Sequence, residues 1–395
     1  MSSPLASFHL DLEGIGFDQG ASVLLRRALS QLPPGRPLRV RGGSAGFGDA
    51  LQAWGRARGL AVQLDADGHA ELAGQPTSGG GASGDALTDD AVLETPPSTW
   101  GLAARGARVE GGGPSFDFPL ATKQEVWSDE AACLYRQGAS AQWDPESAIP
   151  WLTPRTHPDE VEDAVVAIMT YLVESETAAL VVPARFASQV HPYFREVMQV
   201  LALQAADEAR HMEVFARRAR LYGWPLGTST VSAQLSLKTL VEEPDFALAS
   251  FLLAVLGEGN LLALLRFLAL HGPDAVCQRV AHLAAQDEAR HVAFGLSHLG
   301  RQLAHDPGLQ ERLAHAVERR HEALAETTPL DEGLFDALVV IAAGSVSPQA
   351  IAHGYDAVVS LIAEMDRGRR LRLRRLGFSP REAAALSALH TRNLM

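Results

Sequence analysis

The pentapeptide Asp-Glu-Ala-Arg-His occurs twice, at 207–211 and at 287–291. On a helix, Glu208 and His211 stand three positions apart, as do Glu288 and His291, so each carboxylate shares a face with an imidazole. A carboxylate and a neutral imidazole aimed at one point are ligands for a divalent transition metal. One Glu-x-x-His by itself is commonly a solvated charge pair. Two identical copies, joined by one Glu from each of two more helices, make the established ligand set of a carboxylate-bridged dinuclear centre in a four-helix bundle.

The elements that must position such a set can be sought around the motifs. The stretch 248–270 is apolar nearly all the way round, interrupted by Glu258, Asn260 and Arg266. That composition belongs to a core helix or a membrane span, and the polar interruptions favour the core. A carboxylate in a buried helix is costly unless it is protonated, paired or bound to metal. Glu258 stands thirty residues before Glu288. The stretch Val161 to Phe186 has the same character, with Glu176 thirty-two and Glu174 thirty-four residues before Glu208. The spacing favours Glu176, keeps Glu174 in reserve, and sets Ala178 and Ala179 where a neighbouring helix could approach closely. The chain therefore reads as two copies of a helical hairpin, Glu176 with Glu208 and His211, and Glu258 with Glu288 and His291. Four carboxylates sharing an apolar interior would be neutralised by two divalent cations, and an oxygen-rich set suits iron or manganese better than zinc or copper.

At these residues the sequence resembles the ferritin-like superfamily of di-iron carboxylate proteins, in particular its oxygen-activating branch. The strong part of the resemblance spans roughly 155–305. It implies a mainly α fold, a ferritin-like four-helix bundle with extra C-terminal helices, and Glu176, Glu208, His211, Glu258, Glu288 and His291 as metal ligands and catalytic groups. It further implies that Asp207 and Asp287 accept hydrogen bonds from a ligand histidine on the facing helix, and that Arg210 and Arg290 complete those networks; the plain alternative for the arginines is surface charge. Two departures narrow the branch. Phe215 stands where reductase small subunits carry a radical tyrosine, and Leu261 and Leu262 stand where monooxygenases and desaturases carry a threonine. The segments 142–146 (Gln-Trp-Asp-Pro-Glu) and 387–393 resemble parts of uncharacterised bacterial ferritin-like proteins.

The implied activity is that of a di-iron oxygenase or oxidase, a monooxygenase among the options, with two Fe ions (or Mn, or mixed Fe/Mn) and O2 as co-substrate. A small organic substrate and an external electron donor such as a reductase or ferredoxin are the implied partners, with a homo-oligomer, a dimer, as the implied assembly. The alternative is a metal-handling or peroxide-consuming protein akin to rubrerythrin or manganese catalase; a metal-free scaffold is the third reading. Leu172, Ala179, Phe215, Leu262 and Phe294 fall at helical spacings near the ligands, as plain core first and as a cavity lining second.

Composition sets the outer bounds. The 395 residues allow two or three domains, and 21% charged with 47% hydrophobic residues is ordinary for a globular protein. A formal net charge of −13 argues against a general nucleic-acid binder. Cys133 and Cys277 alone imply no disulfide framework, and with no export signal and no expected membrane segment a cytoplasmic location is expected.

Residues 1–73 read as a small α+β domain. Strands are expected at Phe8 to Leu12, Pro37 to Val40, Leu60 to Leu64 and His69 to Leu72, with helices at Ala21 to Leu32 and Asp49 to Gly59. This pattern resembles the TusA-like sulfur-carrier fold, although Phe17 and Asp18 stand where that family needs its Cys-Pro pair, so an interaction or regulatory role replaces sulfur transfer. Residues 74–100 read as a flexible linker, 101–155 as an irregular arm laid on the bundle, and 156–395 as the bundle with helices at Asp331 to Gly344 and Pro348 to Arg375. The basic run Arg367 to Arg375 reads as a solvated or oligomer-facing helix face, with a docking site for an acidic electron donor second. His282, His298, His315 and His321 read as exposed or helix-capping, His298 being the one placed a heptad after a ligand.

Overall fold

The computed structural model describes residues 8–33, 36–42, 46–67, 69–73, 92–107, 109, 113–324 and 332–390. The chain divides into two compact units, residues 1–83 with 105–114, and 84–104 with 115–395.

Among the described residues, the first unit is a four-stranded sheet with two α-helices and a short 3-10 turn at Phe17–Gln19. Strands β1 (Phe8–Asp11), β2 (Leu38–Arg41), β3 (Ala61–Leu64) and β4 (His69–Ala73) lie in the order β1-β2-β4-β3. β1 and β2 run parallel, with Phe8 opposite Leu38, and β4 pairs antiparallel with both β2 and β3. A parallel pair needs a crossover, supplied here by helix α1 (Ala21–Ser30). Helix α2 (Phe47–Arg56) joins β2 to β3 and packs on β3. Leu12, Leu25, Leu38, Val40, Leu51 and Leu72 form its core. Phe17 stacks on Phe47 with ring centres 5.7 Å apart, so it serves packing.

The second unit is helical. Residues 74–91 of the expected linker lie outside the described residues, but 92–100 are held on this unit: Val92 is buried in its core and the Leu93 N–H donates to the Tyr193 hydroxyl at 3.2 Å. Three helices then occur in the segment expected to be irregular: α3 (Lys123–Val126), α4 (Ala131–Ser140) and α5 (Pro145–Ala148). Helix α4 lies along α7, and Gly138 makes the approach possible, because a Cβ there would collide with Leu203. Trp127 and Trp151 are buried beneath this layer.

The bundle itself comprises α6 (Asp159–Ala187), α7 (Arg195–Arg220), α9 (Phe246–Ser250) continuing through a π-helical segment (Phe251–Glu258) into α10 (Gly259–His271), and α11 (Ala275–His305); α8 (Val231–Val241) lies between the two pairs in sequence. Helices α6 and α7 pack on each other, the α9–α10 rod packs on α11, and α7 meets α11. Local signals explain the ends. Asp159, Glu160 and Glu162 bring negative charge to the first turn of α6, and Asp245 and Asp274 cap α9 and α11 by accepting from Leu248 N–H at 3.0 Å and Cys277 N–H at 2.8 Å. Both α6 and the 246–271 rod are long and apolar enough to cross a membrane, yet 94% of the rod's most apolar window is buried inside the protein. At Gly295, α11 approaches the π segment so closely that a Cβ would overlap that of Ala254.

Helices α12 (Leu309–Leu324), α13 (Glu332–Ala343), α14 (Pro348–Arg375) and α15 (Pro380–His390) complete the unit. Helix α13 packs on α6, while α14 packs on α13, α10 and the π segment. Two sequence expectations need correction here. The basic run is not one solvated face: Arg369 is buried and donates to the Ser387 hydroxyl at 2.9 Å, and Arg372 turns inward, whereas Arg367, Arg370, Arg374 and Arg375 are exposed. His298 is not exposed but fully buried between Phe246 and Phe294, because a heptad spacing keeps it on the inward face of α11. His282 and His315 are exposed.

Candidate dinuclear metal centre

The six side chains singled out by spacing are brought together from four helical elements. Glu176 comes from α6, Glu208 and His211 from α7, Glu258 from the end of the π segment, and Glu288 and His291 from α11. All six are buried, Glu176, Glu208, His211 and Glu288 completely. Glu174, the reserve candidate, is only half-buried. Two overlapping groups result, Glu176, Glu208, His211 and Glu288, and Glu208, Glu258, Glu288 and His291, each with its ligand atoms within 4.8 Å of one another. Glu208 and Glu288 belong to both groups, the arrangement that two bridging carboxylates need.

Both imidazoles turn Nδ1 toward the acids. His211 Nδ1 lies 3.0 Å from Glu208 Oε2, 3.3 Å from Glu288 Oε1 and 4.0 Å from Glu176 Oε1. His291 Nδ1 lies 3.0 Å from Glu208 Oε1, 3.3 Å from Glu288 Oε2 and 3.9 Å from Glu258 Oε1. The opposite ring nitrogens cross between the motifs: His211 Nε2 meets Asp287 Oδ2 at 3.1 Å, and His291 Nε2 meets Asp207 Oδ2 at 3.3 Å. With a proton on each Nε2, both rings are fixed in the tautomer that leaves Nδ1 free to ligate.

The two aspartates are held in turn by arginines. Arg210 donates to Asp207 at 2.5 Å and Asp287 at 2.9 Å, and Arg290 donates to Asp287 and, at 3.5 Å, to Asp207. Gln142 adds a bond to Asp207 at 2.9 Å and Trp143 Nε1–H one to Asp287 at 2.8 Å. The Arg210 guanidinium also sits over the Trp143 ring, 4.6 Å from its centre. In the sequence, residues 142–146 stand out only as a family-like segment; their contact with the aspartates depends on the fold of the chain before the bundle. Gln204, overlooked as well, donates to Glu258 Oε1 at 2.7 Å. It lies one turn before Glu208 on the same face of α7, so helical spacing could have found it.

The donor set fits cations. Both oxygens of Glu176 and Oε2 of Glu258 are buried with no hydrogen-bond partner, while Glu208 Oε1 and Glu288 Oε1 meet only the imidazole nitrogens of His291 at 3.0 Å and His211 at 3.3 Å. Buried carboxylate oxygens left bare are expensive unless something positive lies among them. Proton affinities point the same way. Burial pushes the Glu176 carboxyl well above the usual carboxylate range, and the Glu208 and Glu288 charges push it further; burial and Glu288 do the same to Glu258. Burial opposes ionisation of Glu208 too, but the His291 charge, hydrogen bonds to both imidazoles and the His211 charge together outweigh it and hold that group low. Burial disfavours charge on both imidazoles, yet the Asp287 bond to His211 and the Glu208 charge near His291 raise both rings. The pocket is thus built to hold positive charge, and cations bound there would displace protons.

Of the apolar neighbours expected around the ligands, Leu172, Ala179, Phe215 and Phe294 are core residues and Leu262 is half-buried at the margin. Phe215 lies 6.2 Å from the His211 ring, centre to centre.

No protein-family model matches this sequence, and no curated protein matches it either. Solved structures do. Two variants of an R2-like ligand-binding oxidase, one with an anaerobically and one with an aerobically reconstituted Mn/Fe cofactor, superpose with TM-scores of 0.51 and 0.50 at 16% sequence identity. Each match covers 63% of this chain, and 94% and 97% of the respective oxidase chains. The bundle therefore has the ferritin-like fold of R2-type proteins, and its buried carboxylates and imidazoles are placed to bind a dinuclear metal site.

Proposed function

We propose that the protein is a dinuclear-metal oxidase of the ferritin-like fold that uses dioxygen to oxidise a small organic substrate. One observation carries the reading: two four-residue groups of buried carboxylates and imidazoles share Glu208 and Glu288 and leave carboxylate oxygens bare. The same fold in proteins named as oxidases with a Mn/Fe cofactor supports iron, manganese or one of each as the occupants. When bound, such ions supply the electron-transfer chemistry that dioxygen reduction requires.

The chain's own residues do the rest. Glu176, Glu208 and His211 would hold one ion and Glu258, Glu288 and His291 the other, with Glu208 and Glu288 reaching both. Asp207 and Asp287 keep the imidazoles oriented, and the apolar packing of Leu172, Phe215 and Phe294 excludes water from the ligands. An external electron donor finds a route in the hydrogen-bonded chain Trp143–Asp287–His211, whose outer end lies beside the partly exposed Arg210.

The test is elemental analysis of protein produced with iron and manganese supplied, followed by dioxygen uptake after chemical reduction. We expect two metal ions per chain, one for each group, and uptake that disappears in Glu208→Ala. A Glu208→Ala protein that retained full metal content and dioxygen consumption would contradict the proposal. Peroxide consumption without uptake of dioxygen would move the assignment to peroxide removal.

A further inference from the structure

The π segment ends at Glu258, and that ending leaves a mark on the backbone. The Gly259 N–H bonds to the Ala254 carbonyl, five residues back, in place of Val255, four residues back. When the chain then resumes α-helical pitch, the Val255 carbonyl is the one skipped. A skipped carbonyl inside a buried rod needs a donor from elsewhere.

Arg372, from α14, supplies it. Its Nε donates to the Val255 carbonyl at 2.6 Å, and its Nη2 donates to Asn260 Oδ1 at 3.0 Å. The guanidinium lies so close over Gly259 that a Cβ there would overlap it. One planar fork thus grips the residues on either side of Glu258 and its neighbour, a two-point hold that a point-charge ammonium cannot reproduce. Both acceptors are neutral, and burial pushes the guanidinium down to about 10, so the contact is kept at an electrostatic cost.

We propose that Arg372 is a positioning residue for the metal centre: it locks the return from π to α pitch at residues 255–260 and so fixes the aim of Glu258. The inference rests on the reading of Glu258 as a ligand. Glu176, its counterpart, lies in α6 with no π turn beside it, the helix's internal Pro183 standing seven residues further on. Loss of Arg372 should therefore affect one ion of the pair and spare the other.

The experiment is titration of the full-length protein with Mn(II), following free Mn(II) by EPR, for the wild type, Arg372→Met, Arg372→Lys and the exposed neighbour Arg374→Met. Hydrogen exchange over 251–260 is measured on the same proteins. In Arg372→Met we expect about tenfold weaker binding of one Mn(II) equivalent, the other unchanged, with faster exchange confined to 251–260. Arg372→Lys should fall between, and Arg374→Met should match the wild type. If Arg372→Met fails to fold, Arg372→Lys and Asn260→Ala carry the same expectation of selective loss. Two equivalents bound with wild-type affinity by the Arg372 variants would overturn the inference alone. A wild type that binds no Mn(II) would overturn the dinuclear reading and this inference together.

Discussion

The two hairpins offer matching carboxylates and imidazoles but rest them on different supports, and the contrast is clearest seven residues after each of these histidines. On α7 that position is Arg218; on α11 it is His298. Arg218 is fully buried in an ion network, donating to Glu162 at 2.8 and 2.9 Å and to Asp274 at 2.5 Å, with His157 against Glu162 at 2.7 Å. His298 is equally buried but sits between Phe246 and Phe294, its Nδ1 3.3 Å from the Trp127 carbonyl. At this one position the first hairpin places a charged network and the second an aromatic packing. Glu176 is bare at both oxygens, whereas Glu258 is held by Gln204 and flanked by the Arg372 fork. A dinuclear site would dictate the types and spacing of the six residues placed to hold it; the layer behind has only to be satisfied and well packed, so the two halves differ there.

The largest effect should fall where the halves are not distinct. Glu288→Ala removes a carboxylate common to both groups and should abolish binding of both ions, whereas Glu176→Ala or Glu258→Ala should each cost one. Metal-to-protein ratios after dialysis decide it, and a Glu288→Ala protein that kept one tight ion would break the picture of shared carboxylates.

Next comes the charged support. Arg218→Met strands two buried acids and should destabilise the protein by about 3–5 kcal/mol in denaturant titrations. Adding Glu162→Leu should recover part of that loss. Equal stability of wild type and Arg218→Met would show that the network contributes nothing.

The aromatic support makes a prediction in pH. Burial holds the His298 imidazole down at about 4, against an ordinary 6.5. The unfolded chain therefore takes up a proton at this site below pH 6.5 while the folded chain does not, so the contribution is intact above 6.5 and is lost progressively toward pH 4. The full loss is about 3 kcal/mol. Denaturation of metal-free wild type and His298→Phe across that range should show the wild type losing more; parallel curves would refute a buried neutral ring.

The smallest expected effect is at Gln204. Gln204→Leu frees Glu258 Oε1 and should weaken one ion about tenfold, the lower end for a residue behind a ligand. Titration with Mn(II) checks this, and weakening of both ions alike would deny the asymmetry between the halves.

Much of the centre was legible before the fold was known. Glu208, His211, Glu288 and His291 declare themselves because a helix makes three-residue spacing a shared face, and Glu258 because a carboxylate in so apolar a run demands a reason. Glu176 was separated from Glu174 by spacing alone, and burial agrees. His298 is fully buried although histidine is a common surface residue, because its place on the inward face of α11 outweighs its type. Gln142, Trp143 and Arg372 could not be read. They lie 65, 144 and 112 residues from the groups they bind, Asp207, Asp287 and Asn260, and nothing local marks such pairings. The π segment was equally silent, since one extra residue per turn changes neither composition nor apolar pattern.

The amino-acid order by itself determined that two hairpins would turn acids and imidazoles inward, because helical periodicity and the cost of burying charge are local properties of each segment. Tertiary packing alone decided that Glu208 and Glu288 serve both groups, that each histidine borrows its aspartate from the other motif, and that an arginine from α14 closes the gap beside Glu258. Those relations join atoms on separate helices, and distance along the chain carries no information about distance in space.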